Sequence, residues 1–135
     1  ELLQQLVKAV SGRSRLPIDL QVDALPDLPQ DVRVALYRTV QEALNNVVKH
    51  AEADQVWVRV SSRSRADGEA RVIVSVRDNG RGFDPEAIDG GHLGLRMMQE
   101  RIRAVGADLE VASDATGTLI VVRWPTCSGQ ISDAE

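Results

Sequence analysis

Several things scarce in this chain limit what it can be. It has one cysteine, Cys127, so no intrachain disulfide can form and no set of thiols exists to hold a metal. Aromatic residues make up 3% of its 135 residues. The interior must therefore be built from Val, Leu, Ile and Ala, which a hydrophobic share of 43% permits in a single domain. Positive charge is not in excess: 16 Lys and Arg stand against 20 Asp and Glu, a net charge of −4. That balance argues against a non-specific nucleic-acid binder. No apolar run approaches the ~20 residues a membrane span needs, and no signal-peptide pattern opens the chain. The expectation is a soluble, cytoplasmic domain, whose full-length protein is free to reach a membrane through other segments. There is no internal repeat and no low-complexity tract.

Periodicity predicts the layout. Glu1–Val10 reads as a helix and Ser11–Arg15 as a loop. Ile18–Val22 alternates apolar and polar residues as a strand does. Pro26 and Pro29 bracket a turn, and Pro29 or Gln30 starts a long helix to about Ala51. Val56–Ser61 is a strand with Val56, Val58 and Val60 inward. The polar segment Arg63–Glu69, with Asp67-Gly68, is a hairpin loop to the strand Arg71–Arg77. A helix from about Leu93 ends near Gly106, a C-cap residue. Leu109–Ala112 and Leu119–Trp124 then pair around Thr116-Gly117. Residues 126–135 form a polar tail, of which Ser128–Glu135 frays. Helices on one face of a mixed, mostly antiparallel sheet make this an α+β, two-layer sandwich.

Four short stretches carry chemistry. In Ala70–Asp78 side chains alternate between the faces of a sheet, so Asp78 shares the face of Val72, Val74 and Val76. A carboxylate on the side that buries valines needs donors. Backbone amides of the following turn, Asn79-Gly80-Arg81-Gly82-Phe83, are one source; an amino-bearing heterocycle such as adenine is another. In the long helix, Leu36, Val40, Ala43 and Val47 form an apolar stripe. Glu42, Asn46 and Lys49, at i, i+4 and i+7, form a second one. That polar stripe is either a solvated face or a site where a carboxylate and an amide meet Mg²⁺ and an ammonium meets phosphate. The third stretch, Asp89-Gly90-Gly91-His92-Leu93-Gly94-Leu95, precedes a helical pattern of Leu95, Met98, Ile102 and Val105. It lets backbone N–H groups approach an anion, with Pro85 to Gly91 as a short mobile flap. In the fourth, Thr118 has the parity of Ile120 and Val122, so its hydroxyl faces the same interior as Asp78.

The order Glu-Ala-Leu-x-Asn-x-x-Lys-His-Ala, Asp-x-Gly-x-Gly-Phe, Gly-His-x-Gly-Leu and Gly-Thr resembles the N, G1, G2 and G3 boxes of the ATP-binding domain of sensor histidine kinases. That domain belongs to the ATPase superfamily of type II topoisomerases, mismatch-repair ATPases and heat-shock chaperones. Leu36-Tyr37-Arg38-Thr39-Val40-Gln41-Glu42 and Gly94-Leu95-Arg96-Met97-Met98-Gln99-Glu100-Arg101 resemble the nitrate/nitrite-sensor and membrane-fluidity-sensor type. The resemblance covers Leu16 to Pro125, and it implies that residues 1–135 are one ATP-binding catalytic domain with its recognisable core at 16–125.

By that resemblance Asp78 accepts a hydrogen bond from the adenine 6-amino group, with Thr118 nearby. Asn46 ligates Mg²⁺, and Glu42 holds or polarises a metal-bound water. Lys49 and His50 lie toward the phosphates. Gly80 and Gly82, followed by Phe83, let the backbone pass close to the nucleotide. Gly91 and Gly94, with His92 and Leu93 between them and Leu95 after, form the flap hinge and phosphate-side loop. The implied partners are an upstream dimerisation and phosphoacceptor domain and a response regulator. The only two histidines are His50 and His92, and neither sits in an acceptor context. The acceptor is therefore expected on a separate domain, so that this chain alone does not autophosphorylate. Two other readings stay open: a stand-alone ATPase or serine kinase of the same superfamily, and a docking module without catalysis.

Overall fold

The computed structural model describes residues 2–23, 27–51, 53–64, 70–80 and 90–125. Its elements are α1 (Leu2–Ser14), β1 (Ile18–Val22), α2 (Gln30–Asn46), a π-helical turn (Val47–Ala51), β2 (Val56–Ser64), β3 (Ala70–Asp78), α3 (Gly90–Ala104), β4 (Asp108–Asp114) and β5 (Gly117–Trp124). The strands form one sheet in the order β1-β2-β3-β5-β4. Only β1 and β2 run parallel; the other neighbours are antiparallel. The expected α+β sandwich is what is found.

Alternation fixes which face of the sheet is inside. Val56, Val58 and Val60 of β2, Val72, Val74 and Val76 of β3, and Ile120 and Val122 of β5 are all buried. They sit opposite one another in register, as in Val58↔Val76↔Ile120. Against this face α2 lays Val32, Ala35, Leu36, Val40, Ala43 and Leu44, and α1 adds Leu6, Val7 and Val10. These are mostly aliphatic residues of moderate size, so the scarcity of aromatics is met by many interlocking Val and Leu side chains. Thr39 of α2 is buried among them, and its hydroxyl donates to the Ala35 carbonyl at 2.9 Å.

The helix ends differ from expectation in three places. First, α1 does not stop at Val10, and Ser11–Ser14 is helical. The Ser14 hydroxyl donates back to the Val10 carbonyl (2.7 Å), and the Arg15 N–H donates to the Ser11 carbonyl (2.8 Å). The first bond satisfies the serine hydroxyl within the helix, a back-bond of a kind that strains helix interiors but is tolerated in a last turn; the second is an ordinary helical bond. Arg15, at φ +61°, then closes it. Second, α2 does not run to Ala51 as an α-helix. The Val47 N–H is shared between the Ala43 and Leu44 carbonyls, and Val47–Ala51 widens into a π turn, a rare geometry that recurs at functional sites.

Third, α3 begins at Gly90, not Leu93. A helix leaves its first four N–H groups without helical partners, and glycine near the cap costs little. The glycines therefore enter the first turns instead of forming a loop before them. The other end of α3 is as expected. Gly106 takes φ +81°, its N–H donates to Arg103, and the Ala107 N–H reaches the Ile102 carbonyl at 3.1 Å, a Schellman ending. The Trp124 indole N–H donates to the Val105 carbonyl at 3.2 Å, tying the end of β5 to this turn.

Candidate functional site

The strongest polar feature inside the molecule lies at the end of the central strand. Asp78, the last residue of β3, is only 3% exposed. It pairs with Val56 on one side and Thr118 on the other. One of its carboxylate oxygens accepts the Gly80 N–H at 2.8 Å, and the Thr118 backbone N–H is also directed at the carboxylate. These donors favour the ionised form. Burial outweighs them, and the Asp78 pKa is raised above the usual carboxylate range. Turn amides thus meet part of the need, as the sequence allowed. A carboxylate offers about four acceptor positions, so capacity remains for a ligand's donor.

Thr118 is 8% exposed and faces the same interior. Its hydroxyl shares a 2.8 Å hydrogen bond with the Ser113 hydroxyl on β4. The alternation of Leu109, Val111 and Ser113 is the signal that could have placed Ser113 there. Gly117, just before Thr118, has φ +141°, and a Cβ at that position would stand 2.0 Å from the Asp78 carbonyl oxygen. The β4–β5 turn therefore approaches the backbone of Asp78 so closely that only glycine fits.

The polar stripe of α2 is placed next. Glu42 and Asn46 lie one turn apart and are half-buried, and Lys49 is exposed on the π turn. Because that turn is wider than an α turn, Lys49 does not extend the α stripe as the i+7 spacing implied. Among the described residues, the Glu42 and Asn46 side chains make no hydrogen bond. A carboxylate and an amide with free oxygens suit Mg²⁺, which takes few protein ligands and fills its shell with water and phosphate. Among the described residues no group of three or more His, Cys, Asp or Glu is gathered for a metal. His50 is the fourth residue of the π turn, and its side chain lies outside the described part.

Gly80 is buried beside Asp78, while Gly82 and Phe83 lie outside the described residues. So does the expected flap, apart from Gly90 and Gly91. Gly91, His92, Leu93 and Gly94 fall in the first turns of α3, which corrects their placement in a loop; the side chains of this stretch are likewise outside the described part. Leu95 is buried. Helix α2 packs on both β3 and α3.

Sequence reasoning passed over Asn79. Its side-chain oxygen accepts the N–H groups of Asp54 (2.9 Å) and Gln55 (3.0 Å), and its own N–H reaches the Gln55 carbonyl (3.3 Å). No local pattern announces partners 24 and 25 residues away.

A buried carboxylate closing the central strand of a two-layer sandwich is thus the frame of the site. Residues 31–127 match the family described as histidine kinase-, DNA gyrase B- and HSP90-like ATPases, and the chain belongs to that family. It is 36% identical over 125 residues to the signal transduction histidine-protein kinase/phosphatase DegS of Brevibacillus brevis, covering 91% of this chain and 31% of that protein. It is 30% identical over 124 residues to the nitrate/nitrite sensor protein NarX of Escherichia coli K12, covering 90% of this chain and 20% of that one. Full-length ShkA in complex with AMPPNP superposes with a TM-score of 0.73 at 27% identity, over 92% of this chain and 29% of that one. The chain therefore spans a third or less of these relatives and corresponds to the ATP-binding catalytic domain of sensor histidine kinases. No helix among the described residues is long and apolar enough to cross a membrane.

Proposed function

We propose that this chain binds Mg-ATP and presents the γ-phosphate to a histidine on a separate dimerisation domain, for relay to a response regulator. The observation that carries this reading is the buried Asp78 carboxylate, raised in pKa by its burial yet still holding acceptor capacity. An exocyclic amino group on a planar base supplies the donor that such a carboxylate lacks. Asp78 would accept from adenine, and Thr118 would line the same pocket. Lys49, with His50, would meet phosphate oxygens; Gly80, Gly82, Phe83 and the segment Gly91–Leu95 would border the nucleotide.

Asn46 and Glu42 are the residues that would hold the cation, Asn46 directly and Glu42 directly or through water. Bound there, Mg²⁺ would offset negative charge on the phosphates. Phosphoryl transfer depends on positioning and charge neutralisation more than on covalent help from the protein. The residues of this chain accordingly bind and orient, and the nucleophile comes from the partner domain. Residues 1–135 act as one catalytic unit, placed in the cytoplasm.

Calorimetric titration of the chain with AMPPNP, with and without Mg²⁺, tests the site. Labelled ATP mixed with a histidine-bearing dimerisation domain from a relative such as DegS tests the transfer. The expected results are saturable binding strengthened by Mg²⁺, and label on the acceptor only when both proteins are present. A folded chain that binds no AMPPNP at concentrations revealing weak affinity would overturn the reading.

A further inference from the structure

We propose that Asn79 is a positioning residue for the nucleotide reaction: it fixes the distance between the base-facing carboxylate and the phosphate-side end of α2. The proposal rests on the nucleotide reading above. Asn79 follows Asp78 directly, where β3 ends. Three hydrogen bonds join it to the chain entering β2, two through the side-chain oxygen and one through the backbone. A backbone bond alone would extend the strand pairing by one step. Two N–H groups converging on one side-chain oxygen do more, because they set the direction in which the incoming chain arrives.

That incoming chain is short and leads straight back to the candidate cation and phosphate residues. Asp54 lies five positions after Lys49 and eight after Asn46, and the turn between is the π turn Val47–Ala51. A π turn has a less favourable geometry than the α-helix it interrupts and persists where surrounding contacts hold it. Core packing of Val47 and Ala53 supplies some of that hold. The Asn79 tether supplies the part that refers the turn to Asp78. Without it, the π turn Val47–Ala51 and residues 53–55 can relax while Asp78, paired to strands on both sides, stays in place. The two ends of the bound nucleotide would then be held out of step.

The test uses Asn79→Ala and Asn79→Asp in the whole chain at moderate salt. Asparagine contributes only its oxygen to the side-chain bonds, so Asp keeps the acceptor and Ala removes it. In the nucleotide-free chain, amide hydrogen exchange at Asp54 and Gln55 should accelerate in the Ala variant and return toward wild type in the Asp variant. In calorimetry, Ala should leave Mg-free ADP affinity within about twofold of wild type. It should lower the gain in AMPPNP affinity on adding Mg²⁺ by about fivefold or more, and Asp should restore most of that gain. An Ala variant with an undiminished Mg²⁺ gain overturns the proposal. So does an equal loss with and without Mg²⁺, or an Asp variant that restores nothing. If wild type binds no nucleotide at all, the nucleotide reading itself fails, and the exchange rates still report whether the tether exists.

Discussion

Replacing Asp78 with Asn separates binding from folding, and the structure indicates how far. The change keeps the shape of the side chain but turns one acceptor oxygen into an NH₂ group. The wild-type carboxylate accepts backbone N–H groups from Gly80 and Thr118; the amide keeps one oxygen to serve them. The NH₂ then faces another donor, either a backbone N–H or the amino group of the base. A hydrogen bond to a charged acceptor contributes ~1.5–3 kcal/mol, so loss of the base contact should weaken AMPPNP binding by roughly tenfold to over a hundredfold.

Stability should respond differently. Burial raises the Asp78 pKa in the folded state, so the native protein binds a proton more readily than the unfolded chain does. From the ordinary carboxylate range up to the raised native value, wild-type stability therefore increases as pH falls; at neutral pH the buried charge is a cost. Asn carries no such cost, and the variant should unfold within ~1 kcal/mol of wild type at neutral pH. As pH is lowered through the raised value, wild type should gain on the variant. Over the same range nucleotide affinity of wild type should fall, because protonation removes the charge and turns one acceptor oxygen into a donor. Denaturant melts across pH beside calorimetry with AMPPNP provide both readouts. A well-folded variant that binds within about threefold of wild type would refute the assignment of Asp78 to the base.

Three further substitutions probe the scaffold. Gly117→Ala places a Cβ against the Asp78 carbonyl at a φ that side chains rarely adopt, and should cost ~2 kcal/mol or more in denaturant unfolding while also reducing AMPPNP affinity. Leu44→Ala empties a fully buried position in α2 and should cost ~2–5 kcal/mol, measured by the same melts. Thr39→Val removes a buried hydroxyl whose acceptor, the Ala35 carbonyl, keeps its helical N–H partner; unfolding free energy should change by less than ~1 kcal/mol.

Strand parity carried most of what could be read before the structure. Alternating valines place Asp78 and Thr118 inside without ambiguity, because a one-residue slip would turn every valine to solvent. The apolar stripe of α2 is equally plain, and Gly106 ends α3 as its position predicts. The rest depended on bonds that periodicity does not encode. Ser14 reads as a loop residue until its hydroxyl is seen on the Val10 carbonyl. Gly90, Gly91 and Gly94 read as a flexible approach, yet helix starts tolerate glycine, and α3 takes them in. The π turn keeps the composition of an α-helix and differs only in which carbonyl each N–H selects. Asn79 was legible as a motif position but not as a tether.

The place of β3 in the sheet has a consequence for how the empty protein breathes. It is the third of five strands and bonded along both edges, so its amides should exchange only through opening of nearly the whole fold. The π turn after α2 has no second layer of ladder bonds and can open in a smaller, more frequent fluctuation. If the proposed site is correct, recognition of the base rests on the most cooperative part of the molecule and grip on the phosphates on one of its least cooperative. Nucleotide would then add little protection at Asp78 and much at residues 47–55, and a mild denaturant would release the phosphate end first.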